Sequence, residues 1–222
     1  MISRSLIILT ESFIKGRPYQ GMVVGMKEET LIAYANYFKA IVGIIVVVYV
    51  TYILFNKEKF KTPFVLAISG VMTALVAVVT MFIQINIPAS QGYLNFGDTM
   101  VMLAAILFGP LVGAFAGGVG SALADIFSGY AHWSIFTLMI KGVEGLVVGY
   151  LAKGEANYSR ILVATIAGSS VMVIGYVGVA YLLYGVAGAT IELYNDIVQA
   201  TTGIIVGGGL GYALKRRLAG IM

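Results

Sequence analysis

The chain has 222 residues, of which 59% are hydrophobic and 11% charged, whereas soluble domains carry about 25% charged residues; this is the composition of an integral membrane protein. The net charge of +4 is too small to suggest a nucleic-acid partner. The absence of cysteine excludes disulfides and thiolate chemistry, and the single histidine, His132, excludes a multi-histidine metal site, so neither a metal nor a cofactor is expected.

Residues 1–36 read as an N-terminal extension. Leu6–Ile14 is apolar but too short to span, which fits an interfacial segment, and Met22 and Met26 offer alternative starts. Residues 37–62 hold an extra hydrophobic helix, Phe38–Phe55, and a basic linker with Lys57, Lys59 and Lys61. Residues 63–222 then read as a membrane domain of six helices, so the fold class is an all-α six-helix bundle plus one additional N-terminal helix.

Pro63 suits the first turn of a helix that runs to about Asn86, with Ala67, Gly70, Ala74 and Ala77 as a small-residue face open to another helix. Ile87–Gly97 carries Pro, Ser, Gly and Asn and reads as a loop. Asp98–Phe108 is a short span closed by a Gly109-Pro110 turn. Pro110 to about Phe127 is glycine-rich, with Gly109, Gly113, Gly117 and Ser121 at intervals of four leading to Asp125. After a polar and aromatic loop, Ser134–Ala152 contains Lys141 and Glu144, one turn apart. Ile161–Tyr184 and Thr190 to about Leu214 complete the six, separated by a loop at Gly185–Ala189. The similarity of GAFAGGVGSAL to GIIVGGGLGYAL is read as two glycine-rich packing helices rather than a repeat.

If all six cross, the Lys57–Lys61, Lys153–Arg160 and Lys215–Arg217 segments share one side and hold eight Lys or Arg, while the opposite loops hold none. The positive-inside rule makes the basic side cytoplasmic, and with it the C-terminus. Basic residues before Phe38–Phe55 run against this pattern.

The outward ends bring together Tyr93, Asn95, Asp98, Asp125, Tyr130, His132, Trp133 and Thr137, with Glu192, Asn195, Gln199 and Thr202 on a polar face of the last span. Rings that stack and amides and acids that direct hydrogen bonds suit a small heteroaromatic solute. Tyr130, His132 and Trp133 read equally as an interfacial aromatic belt, and Asn195 and Gln199 as interhelical bonds. An unpaired ammonium at Lys141 would be costly. It reads as a structural ion pair with Glu144, with Asp125 or Asp98 as a further partner, or as a ligand contact. No Walker A pattern occurs, so ATP hydrolysis by that route is not expected of this chain. An intramembrane enzyme would have few tools here. A stand-alone proton- or ion-coupled transporter using Asp125, Lys141 and Glu144 is the alternative to a binding subunit.

The stretch 95–145 resembles the substrate-binding S components of energy-coupling factor (ECF) vitamin transporters, in the branch for riboflavin, pyridoxine or hydroxymethylpyrimidine. The matching motifs are Asn95, Gly97 and Asp98; Phe108 to Pro110; Ala124 and Asp125; and Lys141, Gly142, Glu144 and Gly145. The resemblance implies a prokaryotic cell-membrane subunit that is not an enzyme. It would capture a vitamin, with riboflavin the first expectation, at its outer face. It would carry the vitamin inward by reorienting, driven by a transmembrane coupling subunit and two ATP-binding-cassette ATPases. Docking to the coupling subunit falls, by the same resemblance, on Ala67, Gly70, Ala74 and Ala77; the family's usual Ala-xxx-Ala is here Gly-xxx-Ala.

Overall fold

A computed structural model describes residues 40, 43–44, 47–87 and 92–219. The expectations for residues 1–36, and for the first part of the extra hydrophobic helix, lie outside these. Helix α1, residues 47–55, exposes apolar side chains on most sides and buries Tyr49. After a 3-10 turn at Lys57–Lys61 come α2 (Pro63–Phe82), strands β1 (Gln84–Ile87) and β2 (Gly92–Asn95), α3 (Gly97–Phe108), α4 (Pro110–Phe127), α5 (Ser134–Leu151) and α6 (Tyr158–Thr202). A π-helical turn at Gly203–Gly208 leads into α7 (Gly209–Ala219). The protein is an all-α membrane protein: α2, α4, α5 and the α6–α7 run are long and apolar enough to cross a bilayer, and α3 is a shorter apolar helix.

Small residues and amphipathic spacing set the packing. In α2, Ser69, Met72, Thr73, Val76, Ala77 and Thr80 point inward at steps of three and four, while Phe64, Leu66, Val71, Leu75, Val78 and Phe82 face outward. The apolar outer face is the one lipid requires. The α4–α5 pair is the most extensive in the bundle, and its glycines explain why. A β-carbon at Gly145 would collide with the Gly113 backbone, and one at Gly117 would lie 2.7 Å from the Lys141 carbonyl oxygen. The stripe expected from the sequence is therefore a line of backbone-to-backbone contact. Tyr49 of α1 rests on the same pair: a β-carbon at Gly142 would strike its ring, and its hydroxyl donates to the Ala114 carbonyl at 3.2 Å.

Helix α3 is apolar almost all round and buried along most of its length, packed by α2, α4, α5 and the π-helical turn. Its twelve residues rise about 18 Å, short of a hydrocarbon core about 30 Å thick. Its first turn, with Asp98, thus begins well inside the bundle.

Two boundaries differ from the sequence expectation. The stretch expected as a loop over Ile87–Gly97 contributes to an antiparallel hairpin, Gln84 opposite Asn95 and Ile85 opposite Leu94, and α2 stops at Phe82. Backbone groups that leave a helix need partners, and strand pairing supplies them. The expected loop at Gly185–Ala189 contracts to a break at Gly185, whose φ of 70° lets the chain reverse within an otherwise helical run. Gly109, with φ 86°, makes the expected turn into Pro110. Opposite the hairpin end, the Lys215 ammonium donates to the Ala152 carbonyl at 2.6 Å, tying α7 to the end of α5.

Candidate functional site

At the hairpin end a small, partly open cavity is lined by Tyr93, Asn95, Asp125, Trp133, Thr137, Tyr176, Glu192, Asp196 and Gln199. Four elements build it. Strand β2 brings Tyr93 and Asn95, the last turn of α4 brings Asp125, and α5 with its preceding loop brings Trp133 and Thr137. Helix α6 contributes on both sides of its break: Tyr176 before Gly185, and Glu192, Asp196 and Gln199 after it. The last three are spaced by four and three, one face of a helix.

The walls are braced by hydrogen bonds and ring contacts. The Tyr93 hydroxyl donates to Asp125 Oδ1 at 2.6 Å, and its ring lies 5.0 Å from that of Tyr130. Burial, reinforced by the facing Asp125 carboxylate, pushes the Tyr93 phenol well above its ordinary value, so it remains a proton donor. The Tyr176 hydroxyl donates to Thr137 Oγ1 at 3.2 Å. Trp133, 4% exposed, packs edge-on against Tyr176 at 5.9 Å and beside Tyr184.

The floor is a chain of polar groups. The Asn95 backbone N–H donates to Gln199 Oε1 at 3.2 Å, and Gln199 Nε2 donates to Asp98 Oδ1 at 3.1 Å. The same carboxylate oxygen receives the Lys141 ammonium, which also donates to Glu144 Oε2 at 3.0 Å. Asp98, Lys141 and Glu144 are all buried, so each charge depends on the others. Lys141 also lies 5.7 Å from the centre of the Tyr176 ring. The π-helical turn closes the floor. Gly203 and Gly207 abut α3, where a β-carbon would lie 3.0 Å from the Asp98 β-carbon and from the Thr99 α-carbon, respectively. Wide turns of this kind often accompany functional sites.

Of the residues singled out in the sequence, Tyr93, Asn95, Asp125, Trp133, Thr137 and Gln199 meet in the cavity wall. Asp98 and Lys141 lie beneath it in the ion-pair network. Tyr130 stacks outside Tyr93, and His132 is exposed. Asn195 is half-buried and does not line the cavity; the helix instead presents Glu192, Asp196 and Gln199. Sequence reasoning missed Asp196 and Tyr176. Asp196 was legible as the position four after Glu192 and three before Gln199; Tyr176, alone in an apolar run, gave no such signal. On α2, Ala67, Gly70 and Ala74 are exposed, with open space around Gly70, whereas Ala77 is buried.

A helical membrane bundle with a polar and aromatic cavity at one end has the form of a solute-binding membrane protein. Residues 59–216 match the family model of the ECF-type riboflavin transporter S component, and this chain belongs to that family of vitamin or vitamin-precursor transport subunits. It is 65% identical over 147 residues to an uncharacterized protein of Pyrococcus woesei, covering 66% of this chain and 99% of that one. It is 30% identical over 152 residues to the thiamine precursor transporter HmpT of Lactococcus lactis, covering 68% and 87%. A UPF0397 protein of Streptococcus pneumoniae is 33% identical over 104 residues, covering 47% and 53%.

Proposed function

We propose that this chain is the substrate-binding subunit of an ATP-driven importer for a water-soluble heteroaromatic vitamin or precursor. The observation that carries this reading is the cavity at the hairpin end. It is walled by Tyr93, Trp133 and Tyr176 and supplied with directed acceptors and donors by Asn95, Asp125, Thr137 and Gln199. Ring faces hold a flat ligand and the polar groups fix its orientation. The excess of Lys and Arg at the opposite end supports an outward-facing cavity and a cytoplasmic C-terminus. Riboflavin, named by the family model, and hydroxymethylpyrimidine, a thiamine precursor, form with pyridoxine the first panel of candidates.

ATP hydrolysis falls to partner subunits: a transmembrane coupling protein and two ATP-binding-cassette ATPases. The exposed strip Ala67, Gly70 and Ala74 on α2 supports helix docking, because small residues let a partner backbone approach closely in lipid. Ala77, buried against the bundle, supports the core instead. The bundle carries its ligand inward by reorienting as a body.

Mass spectrometry of ligand released from gently purified protein, followed by titration of the panel, tests this reading. A bound vitamin or precursor and no uptake by the chain alone are the expected results. Uptake into vesicles by the chain alone under a proton gradient would refute it in favour of a stand-alone transporter.

A further inference from the structure

Buried acids around the cavity outnumber buried bases. Among the described residues five carboxylates are buried, Asp98, Asp125, Glu144, Glu192 and Asp196, against one buried base, Lys141. Setting Glu192 aside still leaves four against one. Lys141 is committed to Asp98 and Glu144 beneath the cavity. No Lys, Arg or His lines the cavity wall among the described residues. Asp125 and Asp196, 5% and 3% exposed, both line the wall, and each retains an oxygen with no hydrogen-bond partner among the described residues. Buried acceptors of this kind are costly unless a donor reaches them; Asp125 receives the Tyr93 hydroxyl and faces that of Thr137, while Asp196 shares the wall with Glu192, Gln199 and the rings of Trp133 and Tyr176.

We propose that the cavity selects an organic cation: a single heteroaromatic ring bearing an amino or aminomethyl group, with its N–H donors directed at Asp125 and Asp196 and its ring against Tyr93, Trp133 and Tyr176. This deepens the reading of the site as a vitamin pocket and rests on it. A carboxylate pair supplies the counter-charge and acceptors that an ammonium or protonated amidine needs, and three ring faces add cation–π attraction. The acids do not gather into a metal-ligand group among the described residues, and the aromatic walls suit a flat organic ion. The same acids reject anions, because a phosphate or carboxylate on the ligand would face Asp125, Glu192 and Asp196 with no base in the wall among the described residues to receive it.

The test uses matched probes on the purified full chain in detergent, read by isothermal titration. Pyridoxamine is compared with pyridoxine, which differs only in carrying a hydroxyl where the amine stands. Hydroxymethyl-aminopyrimidine is compared with its deaminated oxo counterpart. Riboflavin serves as the neutral flavin and pyridoxamine phosphate as the anion. In at least one pair the amine is expected to bind at least about tenfold more tightly than its partner, and the phosphate ester more weakly than the free amine. Asp196→Asn, which keeps the shape and removes the acid, should narrow the amine preference over the neutral partner by about tenfold. Should that variant not fold, Asp125→Asn replaces it, with the same expectation. If riboflavin or another neutral probe binds more tightly than every amine, the cation proposal fails while the vitamin reading stands. If the amine preference survives Asp196→Asn unchanged, the carboxylate is not read as a charge and the proposal fails. If no probe binds, both readings fail.

Discussion

Lys141→Met removes the single base from a buried cluster while nearly conserving side-chain volume. The lysine sits at 2% exposure between Asp98 at 1% and Glu144 at 0%, so water cannot take its place. Removing one partner of a buried ion pair costs about 3–5 kcal/mol, because the remaining charge is left uncompensated. Here two carboxylates are left, and the Asp98 oxygen that also accepts from Gln199 links the damage to the cavity floor. For a chain of this size the loss corresponds to a fall in melting temperature of roughly 6–20 °C, measurable by intrinsic fluorescence in detergent. The triple variant Asp98→Asn, Lys141→Met, Glu144→Gln removes the charges together and should recover at least half of the loss, since neutral amides need no counter-ion. A loss below about 1 kcal/mol for Lys141→Met, or a triple variant no more stable than the single one, would refute the view that this network is a mutually dependent brace.

Gly117→Ala places a methyl group 2.7 Å from the Lys141 carbonyl oxygen and 2.9 Å from Val101; overpacking should cost about 1–3 kcal/mol in thermal unfolding, and an unchanged melting temperature would show that α4 and α5 can part without penalty. Tyr93→Phe removes the 2.6 Å bond to Asp125 and should weaken ligand affinity by about 1.5–3 kcal/mol, as read by titration; unaltered affinity would remove the Tyr93 hydroxyl from the binding site. Gly70→Leu adds bulk where nothing lies within 4 Å, so stability and ligand binding should stay at wild-type levels while uptake by the complete transporter falls. Uptake unchanged in cells would mean that the partner docks elsewhere.

Composition and motif spacing establish the class of the protein, its family and much of the bundle. A chain with 59% hydrophobic residues cannot expose backbone to lipid, so helices follow from composition, and Gly109-Pro110 marks its turn because only glycine readily takes that backbone angle. Lys141 and Glu144 were legible as partners because positions three apart share a helix face. Which acid completes the cluster was not legible, since Asp98 and Lys141 lie 43 residues apart and meet only when α3 packs against α5. The hairpin was hidden for a related reason: four-residue strands gain definition from pairing, not from their own periodicity. Tertiary structure alone decided the composition of the cavity. The break at Gly185 folds α6 back so that Tyr176 and Asp196, on opposite sides of it, line one wall, and the resulting excess of buried carboxylate appears only once the helices have packed.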